Sequence, residues 1–400
     1  MNFTEFGFDQ RLLDGIDAIN YTTATPVQEK VIPIILQGKD IIASAQTGTG
    51  KTAAFLLPVI NRLLTEPETP GIKAIVIVPT RELAVQIEQN MEGLSYFTPI
   101  SAIAVYGGGD GTSFTTEKQA LSKGTELVIC TPGRMITHLN MGYVNLDNLE
   151  YLILDEADRM LDMGFNEDIM KIMSFMPKKR QTLLFSATMP PKIRDLARKI
   201  LNDPEEVNIA ISKPPAKISQ NAFVVYEGQK APLVKHLLSK VQFTSIVVFC
   251  GTKQKVKSLT QLLLKARMPV AEIHSDLEQS EREKVVADFK AKRTKIIIAT
   301  DILSRGIDID GIDLVINFDV PHDGEDYIHR IGRTARAETS GTAYTLISES
   351  EQYKFAVIEK LLGSAVNKLP VPEEFGAVPA YNPSARREGD KKNFRRPFKK

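Results

Sequence analysis

Ala45-Gln46-Thr47-Gly48-Thr49-Gly50-Lys51-Thr52 follows the apolar run Ile41–Ala45 and precedes a helix-patterned stretch, Ala53–Leu64. Strand, glycine-rich turn, Lys-Thr and helix make the order of a phosphate-binding loop, with Ala45 where the usual pattern has its first glycine. Each residue type has a physical reason. Gly48 and Gly50 let the backbone turn its N–H groups toward phosphate oxygens, at a helix N-terminus whose dipole favours anions. Gln46, Thr47 and Thr49 complete the loop. Lys51 brings a mobile charge to the β- and γ-phosphates, and the Thr52 hydroxyl ligates Mg²⁺. A glycine-rich turn alone would say little; the flanking strand and helix make it specific.

A second motif answers the first. Asp155-Glu156-Ala157-Asp158 stands directly after the apolar run Tyr151–Leu154. A carboxylate at a strand end, facing a phosphate loop, is what a magnesium nucleotide needs: Asp155 would hold the metal through water, and Glu156 would orient the attacking water and accept its proton. Alone, the motif could equally be an acidic helix start.

Around these motifs, short β-branched runs alternate with longer helix-like stretches, the pattern of a parallel α/β sheet. The strand candidates in the first half are 40–45, 73–78, 101–106, 126–130, 151–154 and 182–185. In the second half they are 245–250, 270–274, 295–299, 314–318 and 342–347. The polar, proline-containing stretch 210–217 between the two sets suits an interdomain linker. We therefore expect domain 1 over 1–208, a linker over 209–217, domain 2 over 218–366 and a C-terminal extension over 367–400, disordered from about 383. Nearly every polar motif begins where an apolar run ends, and open parallel sheets bind ligands at the carboxyl ends of their strands.

With 400 residues, 43% hydrophobic and 25% charged, the chain has the composition of a soluble globular protein with two or three domains. Residues 381–400 hold eight Lys/Arg against Glu388 and Asp390, a net of +6; with +1 for the whole chain, the preceding body carries about −5. The two cysteines, Cys130 and Cys250, end apolar runs and read as reduced core residues of a reducing compartment. The five histidines lack ligand spacing. No signal segment or membrane span is apparent, so a cytoplasmic location is expected.

With its P-loop, Asp-Glu-Ala-Asp at 155–158 resembles the DEAD-box family of superfamily 2 RNA helicases, most of all the bacterial RhlE-like branch. The likeness runs over roughly residues 3–345 and implies two tandem RecA-like domains using ATP and Mg²⁺ on RNA. Tyr21 and Thr25-Pro26-Val27-Gln28 resemble the adenine-reading Q motif, with Tyr21 on the base, Gln28 on its edge and Phe3 as the upstream aromatic. Asn20 stands where glycine usually precedes that aromatic, and asparagine tolerates left-handed backbone. Pro79-Thr80-Arg81, Gly107-Gly108 and Thr131-Pro132-Gly133-Arg134 resemble the motifs that hold the RNA backbone without reading its sequence. Ser186-Ala187-Thr188 resembles the coupling motif, whose hydroxyls would bond Asp158.

In the second half, Thr252, Gln279, Arg282, Thr300 and Asp301 match RNA-contact positions, and Asp308 matches the ribose contact. Ser275 replaces the glycine expected after His274. His329-Arg330-Ile331-Gly332-Arg333-Thr334-Ala335-Arg336 resembles the arginine-finger motif; on a helix His329, Arg333 and Arg336 would share one face. His329 would join the coupling set, and Arg333 and Arg336 would contact ATP and act in catalysis beside Lys51, Asp155 and Glu156.

The resemblance implies a monomer that clamps single-stranded RNA between two domains and unwinds locally, with ribosome assembly or RNA decay as common settings. A slow-turnover RNA clamp and a DNA-directed motor are the competing readings.

Overall fold

The structure, a computed structural model, describes residues 1–45, 49–65, 69–108, 111–209, 218–240, 243–300, 312–321, 324–334 and 341–384. The chain forms two compact units that meet in sequence within residues 210–217, outside the described set. Each is built on a seven-stranded sheet whose paired strands all run parallel.

In the first unit the strands are β1 (Ile41–Ser44), β2 (Ala74–Ile77), β3 (Ala102–Val105), β4 (Leu127–Cys130), β5 (Tyr151–Leu154), β6 (Gln181–Ser186) and β7 (Glu205–Asn208). In the second they are β8 (Ile218–Val224), β9 (Ile246–Phe249), β10 (Val270–Ile273), β11 (Ile296–Ala299), β12 (Leu314–Asn317), β13 (Gly341–Ile347) and β14 (Asn367–Lys368). The spatial orders are β3-β4-β2-β5-β6-β1-β7 and β10-β11-β9-β12-β13-β8-β14. Numbered from each unit's own start, the two orders are identical.

Strands β2, β4, β5, β9, β11 and β12 are buried at every position, because helices cover both faces of a parallel sheet; their one polar amide, Asn317, is hydrogen-bonded to Thr345 at 3.1 Å. The covering helices are amphipathic. In Arg81–Ser95, Leu83, Ala84, Ile87, Met91 and Leu94 recur at helical spacing and are buried. Cys130 and Cys250 are buried free thiols, and burial pushes both thiols well up.

All eleven expected strands form, with edges shifted by a residue or two. The strands not foreseen are β7, β8 and β14, which lie at or next to the sheet edges. β7 buries only Val207 and β14 is two residues long, so neither shows a hydrophobic period. The boundary expected at 366 cuts off β14, which pairs with β8. After it, Leu369, Val371 and Phe375 pack on the second unit's core.

The single helix expected through 329–336 is also corrected. The α-helix Gly324–Ile331 stops, and Gly332–Thr334 continues as one 3₁₀ turn. Gly332 is a poor helix former, and the Thr334 hydroxyl is drawn off to the carbonyl of Ile312 at 2.6 Å. His329 and Arg333 therefore do not share one α-helical face.

Candidate functional site

In the first unit, Ala45 follows β1, Asp155 follows β5 and Ser186 ends β6, three adjacent strands. Their carboxyl ends bring the phosphate loop and the acidic motif together. Gln46, Thr47 and Gly48 lie outside the described residues. Thr49 and Gly50 lead into the helix Lys51–Thr65, so Lys51 and the half-buried Thr52 open its first turn. Lys51 is 6% exposed, and its Nζ is 3.9 Å from Asp155 Oδ1 with no hydrogen-bond partner among the described residues. A buried ammonium left at that distance at a helix N-terminus is built to receive an anion.

Burial pushes the Asp155 carboxyl up to about 6, against the opposing pull of Lys51. Its Oδ1 accepts the Glu156 N–H at 2.9 Å. Glu156 is in the left-handed region (φ 51°, ψ 47°). For a residue with a Cβ this costs about 1–2 kcal/mol, and such strain concentrates at functional sites. Its carboxylate accepts from Arg159 Nη1 at 3.1 Å in a buried pair. Asp158 Oδ2 accepts the Thr188 N–H at 2.9 Å and the Thr188 hydroxyl at 3.0 Å. The Ser186 hydroxyl also bonds Asp158, at its main chain rather than its carboxylate: it accepts the Asp158 N–H at 3.3 Å and donates to the Thr188 carbonyl at 2.7 Å.

Gln28 closes the site from the side. Thr25-Pro26 starts the helix Pro26–Leu36, and Gln28 Oε1 accepts the Thr25 N–H at 2.9 Å. Its Nε2 donates to the Gly50 carbonyl at 3.1 Å, joining this helix to the phosphate loop. Tyr21 is 38% exposed with one face stacked on buried Phe3, centroids 6.3 Å apart. Asn20 adopts φ 59°, the left-handed conformation its amide side chain tolerates.

The other half of this sheet, β3-β4-β2, carries the residues expected on RNA. Pro79 and Thr80 follow β2, and the Thr80 hydroxyl caps the helix Arg81–Ser95. The Arg81 guanidinium lies 5.1 Å from the Tyr106 ring centre, beside Gly108 after β3. Thr131 follows β4 and precedes the helix Pro132–Asn140, which presents Gly133 at the surface. Arg134 Nε donates to Glu117 Oε2 at 2.6 Å and the guanidinium stacks over Phe114, while its Nη2 has no partner among the described residues. Glu117 also meets His138 Nε2 at 2.7 Å. Sequence reading missed Glu117, Phe114 and His138, because nothing in their spacing marks a support for Arg134.

In the second unit, Thr252 follows β9 and caps the helix Lys253–Lys265. Arg282 secures the turn after β10, donating to the carbonyls of Leu277 at 3.1 Å and Ser275 at 3.2 Å. Thr300 follows β11 with its hydroxyl buried and without a hydrogen-bond partner among the described residues; His274 Nε2, after β10, is buried with the Glu272 carboxylate 3.5 Å away. The Gln279 side chain, Asp301, Asp308 and Arg336 lie outside the described residues. His329 sits on the helix Gly324–Ile331, and Arg333 in the following turn, half-buried.

Residues 25–196 match the DEAD/DEAH box helicase family and 229–338 match the helicase conserved C-terminal domain. The chain belongs to the DEAD-box helicase family. The ATP-dependent RNA helicase CshA of Listeria monocytogenes is 41% identical to this DEAD-box chain over 372 residues, 92% of the chain and 70% of CshA. The DEAD-box ATP-dependent RNA helicase RhpA of Helicobacter pylori is 38% identical over 372 residues, 93% of this chain and 74% of RhpA. Among solved structures, S. cerevisiae Dbp5 bound to RNA and ADP BeF3 is 29% identical with a TM-score of 0.81, covering 93% of this chain and 96% of that one. No helix of the described residues is long and apolar enough to cross a membrane.

Proposed function

We propose that this chain is an ATP-dependent RNA helicase that hydrolyses ATP to ADP and phosphate on binding RNA and locally unwinds or remodels duplexes by closure of its two units. The observation that carries the reading is how the strand ends sort. Nucleotide motifs occupy β5-β6-β1, and phosphate-contact motifs occupy β3-β4-β2. In the second unit, Thr252, the turn held by Arg282, and Thr300 follow β9, β10 and β11, the equivalent three strands.

ATP would seat its phosphates on Gln46–Thr52 and its adenine between Tyr21 and Gln28, with Phe3 behind and Asp308 on the ribose. Thr52 and, through water, Asp155 would hold Mg²⁺, which neutralises charge on the phosphates when bound. The buried Lys51 ammonium, without a hydrogen-bond partner among the described residues and 3.9 Å from the raised Asp155 carboxyl, fits that charge distribution. Glu156 orients the attacking water; Arg333 and Arg336 supply charge to the γ-phosphoryl as it passes from ADP to water, so hydrolysis requires both units. Asp158, Ser186, Thr188 and His329 transmit closure.

RNA would lie on Pro79, Thr80, Arg81, Gly108 and Thr131–Arg134 of the first unit. In the second it would meet Thr252, Gln279, Arg282, Thr300 and Asp301. Pro79, Pro132 and Asp301 apart, these residues offer hydroxyls, amides and guanidiniums suited to backbone contacts, so sequence-nonspecific binding follows. We read domain 1 as 1–208 and the arginine-bearing domain as 218–366, extended by the packed residues through 384. A monomer in the cytoplasm, acting in ribosome assembly or RNA decay, is our reading of its setting. The RhlE-like kinship rests on the motifs alone, and relatives called CshA and RhpA match over most of the chain.

ATP hydrolysis without nucleic acid, with single-stranded RNA and with DNA of the same sequence tests the proposal. RNA alone should stimulate. Glu156→Gln keeps an oxygen for Arg159 and should lower kcat about 10²–10⁴-fold. Tight ATP-dependent RNA binding with negligible turnover would indicate a clamp, and equal stimulation by DNA would sink the RNA assignment.

A further inference from the structure

Asp319 stands just past the carboxyl end of β12, and its carboxylate collects three donors. Oδ2 accepts the Gly251 N–H at 2.7 Å; Oδ1 accepts Lys255 Nζ at 2.5 Å and Lys230 Nζ at 3.3 Å. Lys230 is fully buried, and its ammonium also reaches Glu351 at 2.6 Å and Glu227 at 3.1 Å. The three carboxylates lie within 4.8 Å of one another, close enough to hold a metal ion, but two ammonium groups already serve them: Lys230 Nζ meets all three, and Lys255 Nζ meets Asp319 and, at 2.6 Å, Glu227. Burial pushes the Asp319 carboxyl up, and the lysines and the Gly251 amide outweigh it, holding it below the ordinary range.

The main chain of the same residue holds the segment that leads to Arg333. Arg330 Nη1 donates to the Asp319 carbonyl at 3.2 Å and to Asn317 Oδ1 at 3.3 Å, with the guanidinium 5.3 Å from the Phe249 ring centre. Beyond Arg330, the Ile312 N–H donates to the Arg333 carbonyl at 3.1 Å and the Thr334 hydroxyl to the Ile312 carbonyl at 2.6 Å. Residues 330–334 are thus pinned along β12, by Arg330 at its carboxyl end and by Thr334 before its amino end. Gly341 permits the second pin: a Cβ there would lie 2.3 Å from the Thr334 carbonyl oxygen.

Gly251 precedes Thr252, so one buried charged cluster touches both a loop assigned to RNA and the segment carrying an arginine assigned to ATP. We propose that Asp319, seated on buried Lys230, is a positioning residue that couples RNA contact at Gly251–Thr252 to the placement of Arg333. This rests on the roles proposed for Thr252 on RNA and Arg333 on ATP. An RNA strand that displaces the Gly251 amide must either carry Asp319 and Arg330 with it or break the hydrogen bond between that amide and a buried carboxylate. Separating buried partners is the costlier course, so the displacement is passed on.

Steady-state hydrolysis by the full chain, wild type and Asp319→Asn, tests this, titrating ATP and single-stranded RNA, with RNA Kd and Tm alongside. Asparagine keeps an oxygen for Gly251 and removes the charge. RNA-stimulated kcat should fall about tenfold, within the usual coupling range, with RNA-free hydrolysis unchanged. KM for ATP and Kd for RNA should stay within about twofold, since neither ligand touches Asp319. Lys255→Gln removes only the partly exposed arm of the cluster and should show the same pattern more weakly. Unchanged stimulated kcat in folded Asp319→Asn overturns the coupling; should that variant not fold, unchanged kcat in Lys255→Gln does so. A joint rise of KM and Kd with a fall in Tm also overturns it, in favour of a purely structural role. Wild-type hydrolysis that ignores RNA would instead bring down the site reading, and the coupling with it.

Discussion

Gly50 shows how far a single residue type can be argued. It sits at φ +91°, and a Cβ there would lie 2.6 Å from Gln28 Nε2, the atom that donates to the Gly50 carbonyl. Gly50→Ala therefore carries a backbone penalty of about 1–2 kcal/mol and also evicts a buried amide. We expect Gly50→Ala and Gln28→Ala each to weaken ATP binding, and the double variant to lose less than their sum. The difference should be on the order of 1 kcal/mol, read from titrations with a fluorescent ATP analogue. Strict additivity would mean that this contact contributes nothing to ATP affinity. Such positions were legible in sequence because phosphate and carboxylate chemistry restricts the choice to Gly, Lys, Thr and Asp. The left-handed backbone of Glu156, its Arg159 partner and the Glu117 bridge between Arg134 and His138 were not. They depend on where the backbone bends and on which distant side chains arrive, and glutamate carries no local preference that announces either.

At the scale of elements, the strands legible in sequence were those with a run of apolar, mostly β-branched or aliphatic residues, clearest in the strands buried on both faces. The helix ending at Ile331 was misread because motif spacing was followed past Gly332. β14 was missed for want of length, yet it occupies the place in the second sheet that β7 occupies in the first. The chain beyond β14 is held by side chains: Gln229 donates to the carbonyls of Phe375 and Ala377, both at 2.9 Å, and Gln352 Oε1 accepts the Asn382 N–H at 2.6 Å. Tyr381 donates to Glu359 at 2.6 Å. Truncation after 366 should therefore destabilise the second unit by about 3 kcal/mol, three half-buried apolar side chains at roughly 1 kcal/mol each. Truncation after 384 should leave its stability unchanged. Hydrogen exchange of the β8 and β13 amides in the full chain and in both truncations reads this directly. Equal protection in all three would show that the seventh strand is dispensable.

For the whole molecule, the repeated strand order means that one architecture serves twice, and motif chemistry at the strand ends differentiates the copies. Charge is partitioned on a different plan: a slightly acidic body, and eight Lys/Arg against two acidic residues within 385–400. A body near neutrality gives RNA little long-range attraction, so the tail is the natural source of salt-sensitive affinity. For single-stranded nucleic acid, log Kobs falls against log salt with a slope of about −0.7 per neutralised phosphate. If half of the basic side chains engage, removing 385–400 should flatten the slope by roughly 3 and weaken binding most at low salt. Because the residues assigned to chemistry all precede 337, kcat at saturating RNA should not change. Anisotropy titrations over a salt series, with hydrolysis measured in parallel, separate the effects. An unchanged slope would make the tail a solubilising appendage and move the electrostatic attachment to Arg81, Arg134 and Arg282. A flattened slope with intact kcat would establish that holding RNA and acting on it belong to different parts of the chain.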